Sequence, residues 1–409
     1  MIATQFDVFL IGLDGVLSSG DEVLSNAVTT VNRLYDQDKQ IRFLTNDPRP
    51  TRDTIVTRLR DFGIEVTETE IITSAWATAA FLDQQDISTT AVVGSEGLRS
   101  ELRDAGIDIT EDAPEVVVVG ADEQTTYLDI QRAARHIDQG AQFVATNSDG
   151  AFSTPDGPAP GAGAIVRAVE ATVETVPTVI GKPEPLMFEM ALDEIAADQQ
   201  AVVVGDNPAT DILGAHRAGL PGVLVADEQH TAPSDSDFRQ PDATIGTLAE
   251  LFTDVTAAWE SPQYSWPDEI RPGVGAVVVN ETDEVLLVRR ADNERWALPT
   301  GTVERGEAVD EAIIREMREE TGLQISVEQL TGVYSRPHQQ VFSYPSGRAV
   351  HFITNCFLCT IDAGTLEVDT DEVLEINFFE SDDLPADILP MHPRWIVDAI
   401  ESGAGAAIR

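Results

Sequence analysis

Two folded parts are predicted from this chain: an α/β unit on a parallel sheet, then a smaller α+β domain. Three observations predict them. Short apolar runs alternate with amphipathic stretches from residue 6 to about 258, the pattern of parallel βαβ units. Three prolines fall within Ser261–Pro272 and mark a linker, placed at 259–271. Beyond it the texture changes to long strands around one acid-rich helix.

Taken in order, the apolar runs are Val8–Ile11, Ile41–Leu44, Ala91–Val93, Val116–Val119, Phe143–Ala145 and Ala201–Val204. Between them lie helix-like segments such as Ala27–Asp38 and Thr51–Phe62. Many runs end in short polar loops (IGLDG, TND, VGAD, TNSDG, VVGDN). In open α/β sheets ligands bind beyond the carboxyl ends of the strands, so these loops are where chemistry is expected. The polar segment Asp227–Asp242 is read as a loop before a last helix around Leu248–Trp259. After the linker come the strands GAVVVN and EVLLVRR, a helix from Ala308 ended by Gly322, and strands around Val350–Thr360 and Glu375–Phe379.

The 409 residues carry 71 acidic and 26 basic side chains, a net charge of −45, and only two of the basic residues, Lys39 and Lys182, are lysine. Such a surface repels itself at low ionic strength. At roughly 1 M salt the screening length falls to about 3 Å and most of that penalty is gone. The composition resembles that of cytoplasmic proteins from extreme halophiles. A nucleic-acid partner needs a basic footprint, which is absent. No run reaches membrane-spanning length, and the first residues make no signal peptide, so a cytoplasmic location away from membranes is expected. Cys356 and Cys359 read C-x-x-C within a β-rich run. Positions three apart on a strand face opposite sides, so they are expected as buried small hydrophobes, not metal ligands.

Residues 301–323 read GTVERGEAVDEAIIREMREETGL. On the predicted helix Glu316, Glu319 and Glu320 stand at i, i+3 and i+4, where like charges repel. A divalent cation turns that repulsion into a site, because Mg²⁺ takes oxygen ligands and neutralises a pyrophosphate. The segment resembles the Nudix box, G-x5-E-x7-R-E-U-x-E-E-x-G-U, without departure, and Trp296-Ala-Leu-Pro-Thr precedes it as in that family. The resemblance implies a Nudix fold over 272–409 and Mg²⁺-dependent (or Mn²⁺-dependent) hydrolysis of a nucleoside diphosphate linked to another moiety. Glu316, Glu319 and Glu320 are carried over as metal ligands, with one of them (Glu316 and Glu319 foremost) or a loop acid as base, Arg315 as the residue orienting the carboxylates, and Glu307 as support for the loop. Glu372 is a weaker candidate for a further acid. Pro337, fifteen residues after Gly322, matches a feature of ADP-ribose-cleaving members.

Residues 7–17, DVFLIGLDGVL, read as a strand and tight turn, followed by FLTND, IGKPEP and VVGDNPATDI. Together they resemble the four motifs of haloacid dehalogenase-like phosphatases, with an α/β cap of the p-nitrophenylphosphatase-like branch between them. The implied fold is a Rossmann-like core from 1–75 plus 178–258, with the cap at 76–177. The implied roles are phosphoryl binding by Thr45, Asn46 and Lys182, substrate contact by Asn147 and Asp149, metal binding by Asp206 and Asp211, and acid–base work by Asp14. One departure matters. The first aspartate of the D-x-D motif, which attacks phosphorus, is Gly12 here, and covalent catalysis needs that nucleophile.

The expectation is therefore a Nudix-type hydrolase of a small nucleotide substrate, with a phosphatase-like unit that binds phosphate esters but turns them over poorly. Strand pairing between Nudix domains makes a homodimer compatible with the sequence. The alternatives are a phosphatase that works despite Gly12, and a nucleotide sensor in which neither pocket turns over.

Overall fold

A strand covered on both faces must be apolar throughout, and the first strand, β1 (Val8–Gly12), is buried along its whole length. In the computed structural model of the protein it lies at the middle of a six-stranded parallel sheet. The structure describes residues 1–20, 22–154, 157–193, 195–226, 239–259, 264–344, 348–368, 372–401 and 405–409.

The chain divides into two units, Met1–Ser261 and Pro262–Arg409. The first contains the sheet of β1, β2 (Gln40–Thr45), β3 (Ile71–Thr73), β4 (Ala201–Gly205), β5 (Gly222–Val225) and β6 (Ala243–Ile245), in the order β6-β5-β4-β1-β2-β3. Alternate side chains feed two cores. Phe9, Ile11, Phe43 and Val204 pack on one face, and Val8, Leu10, Leu44 and Val203 on the other. Because all six strands run parallel, the ends of β1, β2 and β4 come together at one edge.

The insert between β3 and β4 makes its own five-stranded parallel sheet, ordered Thr178–Val179, Gln142–Ala145, Val116–Val119, Thr89–Val93, Asp108–Ile109. Thr178–Val179 pairs with Val144–Ala145, so the insert keeps these two residues, which the sequence reading gave to the core. An antiparallel hairpin of Ala151–Thr154 with Gly157–Pro160 projects from it. The expected last helix over Leu248–Trp259 shrinks to a 3₁₀ turn, Leu248–Phe252. The backbone of Ala257 is taken instead by the Gln5 side chain, and the Ala258 N–H by Asp242. Most of the polar segment, residues 227–238, lies outside the described residues, as do 260–263 of the linker.

The second unit opens with β7 (Glu269–Val278), so Glu269–Pro272 belong to a strand, not to the linker. It continues with β8 (Glu284–Arg290), β9 (Trp296–Ala297), β10 (Thr300–Thr302), the box helix Val309–Thr321, β11 (Leu323–Tyr334), β12 (Val341–Ser343), β13 (Ala349–Gly364), β14 (Val373–Glu380) and β15 (Ala407–Ile408). One sheet runs β10-β7-β13-β11-β15 with β12 beside β13; a second runs β9-β8-β14. Val274, Ala276 and Val278 meet Ala312, Ile313 and Met317 of the box helix. Val277 and Cys356 instead meet Trp395 and Ile396 of the helix His392–Glu401. Cys356 and Cys359 are free, buried and in different cores, as expected for positions three apart on a strand. Among the described residues no helix is long and apolar enough to cross a membrane.

Candidate active sites

In the first unit the loops after β1, β2 and β4 gather polar side chains at one edge of the sheet. β1 stops at Gly12, whose side-chain position is tight but not blocked. A Cβ would stand 3.3 Å from Val16 Cγ2 and 3.6 Å from the Val204 carbonyl. Gly15 has φ +76°, and Asp206 packs so closely that a Cβ would fall 2.0 Å from Asp206 Oδ2. That turn therefore admits only glycine. Asp14 is exposed at the surface, yet the protein crowded around it raises its carboxyl above the ordinary range. Asp47 adds to this, and Arg58, Lys182 and Arg49 oppose it.

Asn46 is the hub of the edge. Its Nδ2 donates to Asp149 Oδ2 at 2.9 Å and to the Lys182 carbonyl at 2.8 Å, and its Oδ1 accepts the Lys182 N–H at 2.8 Å. Its carbonyl accepts Ser74 Oγ–H at 2.6 Å and Asn147 Nδ2–H at 2.5 Å. The Thr45 hydroxyl accepts the Asp47 N–H at 3.1 Å. The structure thus joins Asn46, Asn147, Asp149 and Lys182, while the Thr45 hydroxyl bonds within its own loop. Desolvation by burial raises the Asp149 carboxyl, against the Asn46 hydrogen bond.

Lys182 is buried, with Nζ 2.6 Å from Asp211 Oδ1, and Asp211 Oδ2 accepts the Asn207 N–H at 3.1 Å. Burial alone would lower the Lys182 ammonium, but Asp211, Asp206 and Asp149 hold it above its ordinary value. Lys182→Met leaves the Asp211 carboxylate buried without its cation, a change that costs about 3–5 kcal/mol. The expected result is a melting temperature lowered on the order of 10 °C, largely restored by adding Asp211→Asn. An unchanged melting curve for the single variant refutes this account.

Sequence reasoning missed Arg49. It grips Asp47 through two bonds of 2.8 Å and covers the Phe152 ring of the cap hairpin at 3.9 Å. Nothing in its local sequence signals that reach.

In the second unit Gly301, on β10, lies under the box helix. A Cβ there would fall 2.0 Å from Glu316 Cδ, so only glycine lets that carboxylate approach the strand. Glu316 Oε1 then accepts the Thr302 N–H at 3.2 Å. Arg315 ties the assembly together. It donates to both Glu307 oxygens at 2.9 and 3.0 Å, to the Thr302 carbonyl at 3.0 Å and to Glu319 Oε2 at 3.0 Å, and lies 3.0 Å from Glu316 Oε1. Glu307 also accepts the Glu304 N–H at 3.0 Å. Its carboxyl is held low, first by Arg315. Burial pushes the Glu316 carboxyl up, against the pull of Arg315. Glu320 is buried, Glu319 is exposed, and Gly322 closes the helix at φ +73°. Glu372 is exposed ahead of β14, its carbonyl accepting the Ala291 N–H at 2.8 Å.

Among the described residues no three His, Cys, Asp or Glu side chains are gathered closely enough to hold a metal ion. Glu316 and Glu319 face Arg315, and Asp211 faces Lys182 while Asp206 packs on Gly15. The donor chemistry nonetheless fits a hard cation in the box, where three carboxylates share one helix. In the first unit Gly12 supplies no carboxylate at the end of β1.

Three family matches cover most of the chain: a NUDIX domain at 269–398, a haloacid dehalogenase-like hydrolase at 9–108 and a HAD-hydrolase-like region at 179–251. The 5'-nucleotidase YutF of Bacillus subtilis is 32% identical over 249 residues, 59% of this chain and 96% of that protein. The dihydroxyacetone phosphatase of Corynebacterium glutamicum is 33% identical over 271 residues, 64% and 96% of the two chains. Among solved structures, the p-nitrophenyl phosphatase from Archaeoglobus fulgidus superposes with a TM-score of 0.55 at 31% identity, covering 59% of this chain and 97% of its own. The glycerol phosphate phosphatase of Mycobacterium tuberculosis in complex with magnesium gives 0.58 at 28% identity, covering 75% and 88%.

Proposed function

From a chain that belongs to the haloacid dehalogenase-like hydrolases and carries a NUDIX domain behind that unit, we propose the following division of labour. The second unit hydrolyses the pyrophosphate link of a nucleoside diphosphate derivative, and the first binds phosphate esters with little turnover. The chain is a hydrolase acting on phosphate groups; which unit does the work is the proposal.

The observation that carries it is the contrast between the two sites. Arg315, Glu307, Glu316, Glu319 and the cleared space at Gly301 form a complete interlocked set. β1 ends in Gly12, which carries no carboxylate. Glu316, Glu319 and Glu320 are the residues that would hold Mg²⁺ or Mn²⁺, which when bound neutralises charge on the pyrophosphate and acidifies water. Glu316, pushed up by burial, or Glu319, exposed to solvent, accepts the proton of the attacking water as its oxygen bonds to phosphorus and the bridging P–O bond breaks. Arg315 holds both carboxylates in place for that transfer. The products are a nucleoside monophosphate and a phosphorylated second moiety, a phosphomonoester of the kind the first unit's pocket would recognise.

The test is turnover of nucleoside diphosphate derivatives (ADP-ribose among them) and of phosphomonoesters, in molar KCl with Mg²⁺. Diphosphate cleavage that survives Lys182→Met/Asp211→Asn supports the proposal. Cleavage of phosphomonoesters alone by the unaltered chain overturns it, and binding without any turnover favours a sensor.

The net charge of −45 is read as salt adaptation in the cytoplasm. The far-ultraviolet circular dichroism is expected to collapse as KCl falls below roughly 0.3 M, where screening weakens. A spectrum and melting curve unchanged in dilute buffer refute that reading.

A further inference from the structure

The strand β8 ends in two arginines, and its pleat sends them to opposite faces. Val285 and Leu287 pack with Trp395 and Ile396. Leu286 packs with Met317 of the box helix, and Val288 with Ala297 and Val373. Arg290 is next in that even series. The register shift beside it places the extra residue, Leu374, in β14 and not in β8, so the alternation runs on unbroken. Arg290 therefore faces the box side of the sheet. Arg289 faces the other way, its Nε donating to the Glu294 carbonyl at 3.0 Å.

The root of Arg290 is fixed. Its N–H donates to the Arg295 carbonyl at 2.9 Å, and the next N–H, of Ala291, to the Glu372 carbonyl at 2.8 Å. Its head lies at the surface. The side chain is 34% exposed, and Nε and Nη2 donate to the two oxygens of Asp292 at 2.9 and 2.8 Å. Asp292 is more than half exposed, and an ion pair so open to water holds weakly. It shows nonetheless what the fork accepts: two oxygens side by side, the geometry of a carboxylate or a phosphate. The hydrogen bonds to Asp292 come first in holding the guanidinium above its ordinary value, against desolvation, and the Glu320 carboxylate adds to them. The fork thus stands near the buried carboxylate of the box.

The box calls for such a cation. Glu307, Glu316 and Glu319 share one guanidinium, Arg315, and Glu320 adds a further carboxylate. A diphosphate brought to that helix meets negative charge that one divalent cation and a shared arginine do not fully offset.

We propose that Arg290 is a substrate-binding residue of the second unit, its fork taking two oxygens of the diphosphate in place of Asp292. Asp292 occupies the fork until the substrate displaces it. The assignment rests on the diphosphate-hydrolase reading of this unit and names the side chain that grips the diphosphate from the sheet.

The test uses the full chain in molar KCl with ADP-ribose and UDP-glucose, by turnover with Mg²⁺ and by calorimetric binding in EDTA. Arg290→Met should raise KM about tenfold with kcat within about twofold, and weaken metal-free binding by a similar factor. Arg290→Lys keeps the charge without the fork and should recover only part of the loss. Arg289→Met removes the same charge from the opposite face and should change KM less than about twofold. Asp292→Asn should leave KM unchanged or lower it, because it frees the fork. An unchanged KM in Arg290→Met overturns the proposal. An equal rise in Arg289→Met does so too, since the effect is then one of overall charge. So does an equal rise in Asp292→Asn, which would make the pair a brace for the strand. If the unaltered chain cleaves neither compound, the reading of the unit falls and this proposal with it. The two failures are told apart by the unaltered chain alone.

Discussion

Gly12→Asp is expected to give the first unit a phosphomonoesterase activity that the unaltered chain largely lacks, a gain on the order of 10³-fold or more. The backbone already accepts the residue. Gly12 is not in the left-handed region, and the nearest obstacle to a Cβ is a Val16 methyl at 3.3 Å, which needs to give by only a few tenths of an ångström. The new carboxylate would extend from the end of β1, beside the loops that carry Asp206 and Lys182. One of its oxygens would bond to phosphorus as the P–O bond to the alcohol breaks. Asp14, with its carboxyl raised by the protein around it, is suited to hand a proton to that departing oxygen and then to take one from water. Hydrolysis of p-nitrophenyl phosphate with Mg²⁺ in molar KCl is the measurement. A folded variant showing no gain would mean that the pocket lost more than its nucleophile. A vigorous activity in the unaltered chain would mean that Gly12 was never a handicap.

Much of this arrangement is legible in the sequence because it depends on local rules. The runs Val8–Ile11 and Ala201–Val204 are apolar at consecutive positions, as a strand covered on both faces requires, and they pair at the centre of the sheet. Gly322 ends the box helix in the left-handed conformation that glycine adopts most cheaply, and the spacing of Glu316, Glu319 and Glu320 follows from the helical period. What was not legible depends on contacts between distant segments. Asn46 joins the β2 loop, the cap and the Lys182 loop through bonds spanning 101 to 136 residues, and no neighbour of Asn46 announces them. Prolines at 267 and 272 read as a linker, yet Pro272 lies in β7 beside Ile353 because its strand partners, not its own propensity, decide the matter. The box glycine at 301 was legible as a motif position. Its reason, the carboxylate of Glu316 seated on it, needed the fold.

Glu320→Gln is expected to abolish diphosphate cleavage, lowering kcat on the order of 10³-fold, while leaving the fold and the first unit intact. The substitution keeps shape and volume, so the buried end of the box helix has no cavity to fill. What it removes is one of three negative charges on a single helix face. Arg315 already offsets part of the negative charge of Glu316 and Glu319, so losing the Glu320 carboxylate weakens the hold on a cation further. The effect should therefore fall on cation affinity as well as on rate. Raising Mg²⁺ should recover part of the lost turnover if Glu320 serves as a ligand, and none of it if the side chain only packs. A parallel Glu319→Gln variant separates the roles further. Glu319 is exposed and held by Arg315 on one oxygen, so its loss should lower kcat at saturating Mg²⁺ if it takes the proton from water, and be offset by added Mg²⁺ if it is a ligand. Full activity in Glu320→Gln at low Mg²⁺ would place the chemistry outside the box, and the first unit would then be the one to examine for turnover.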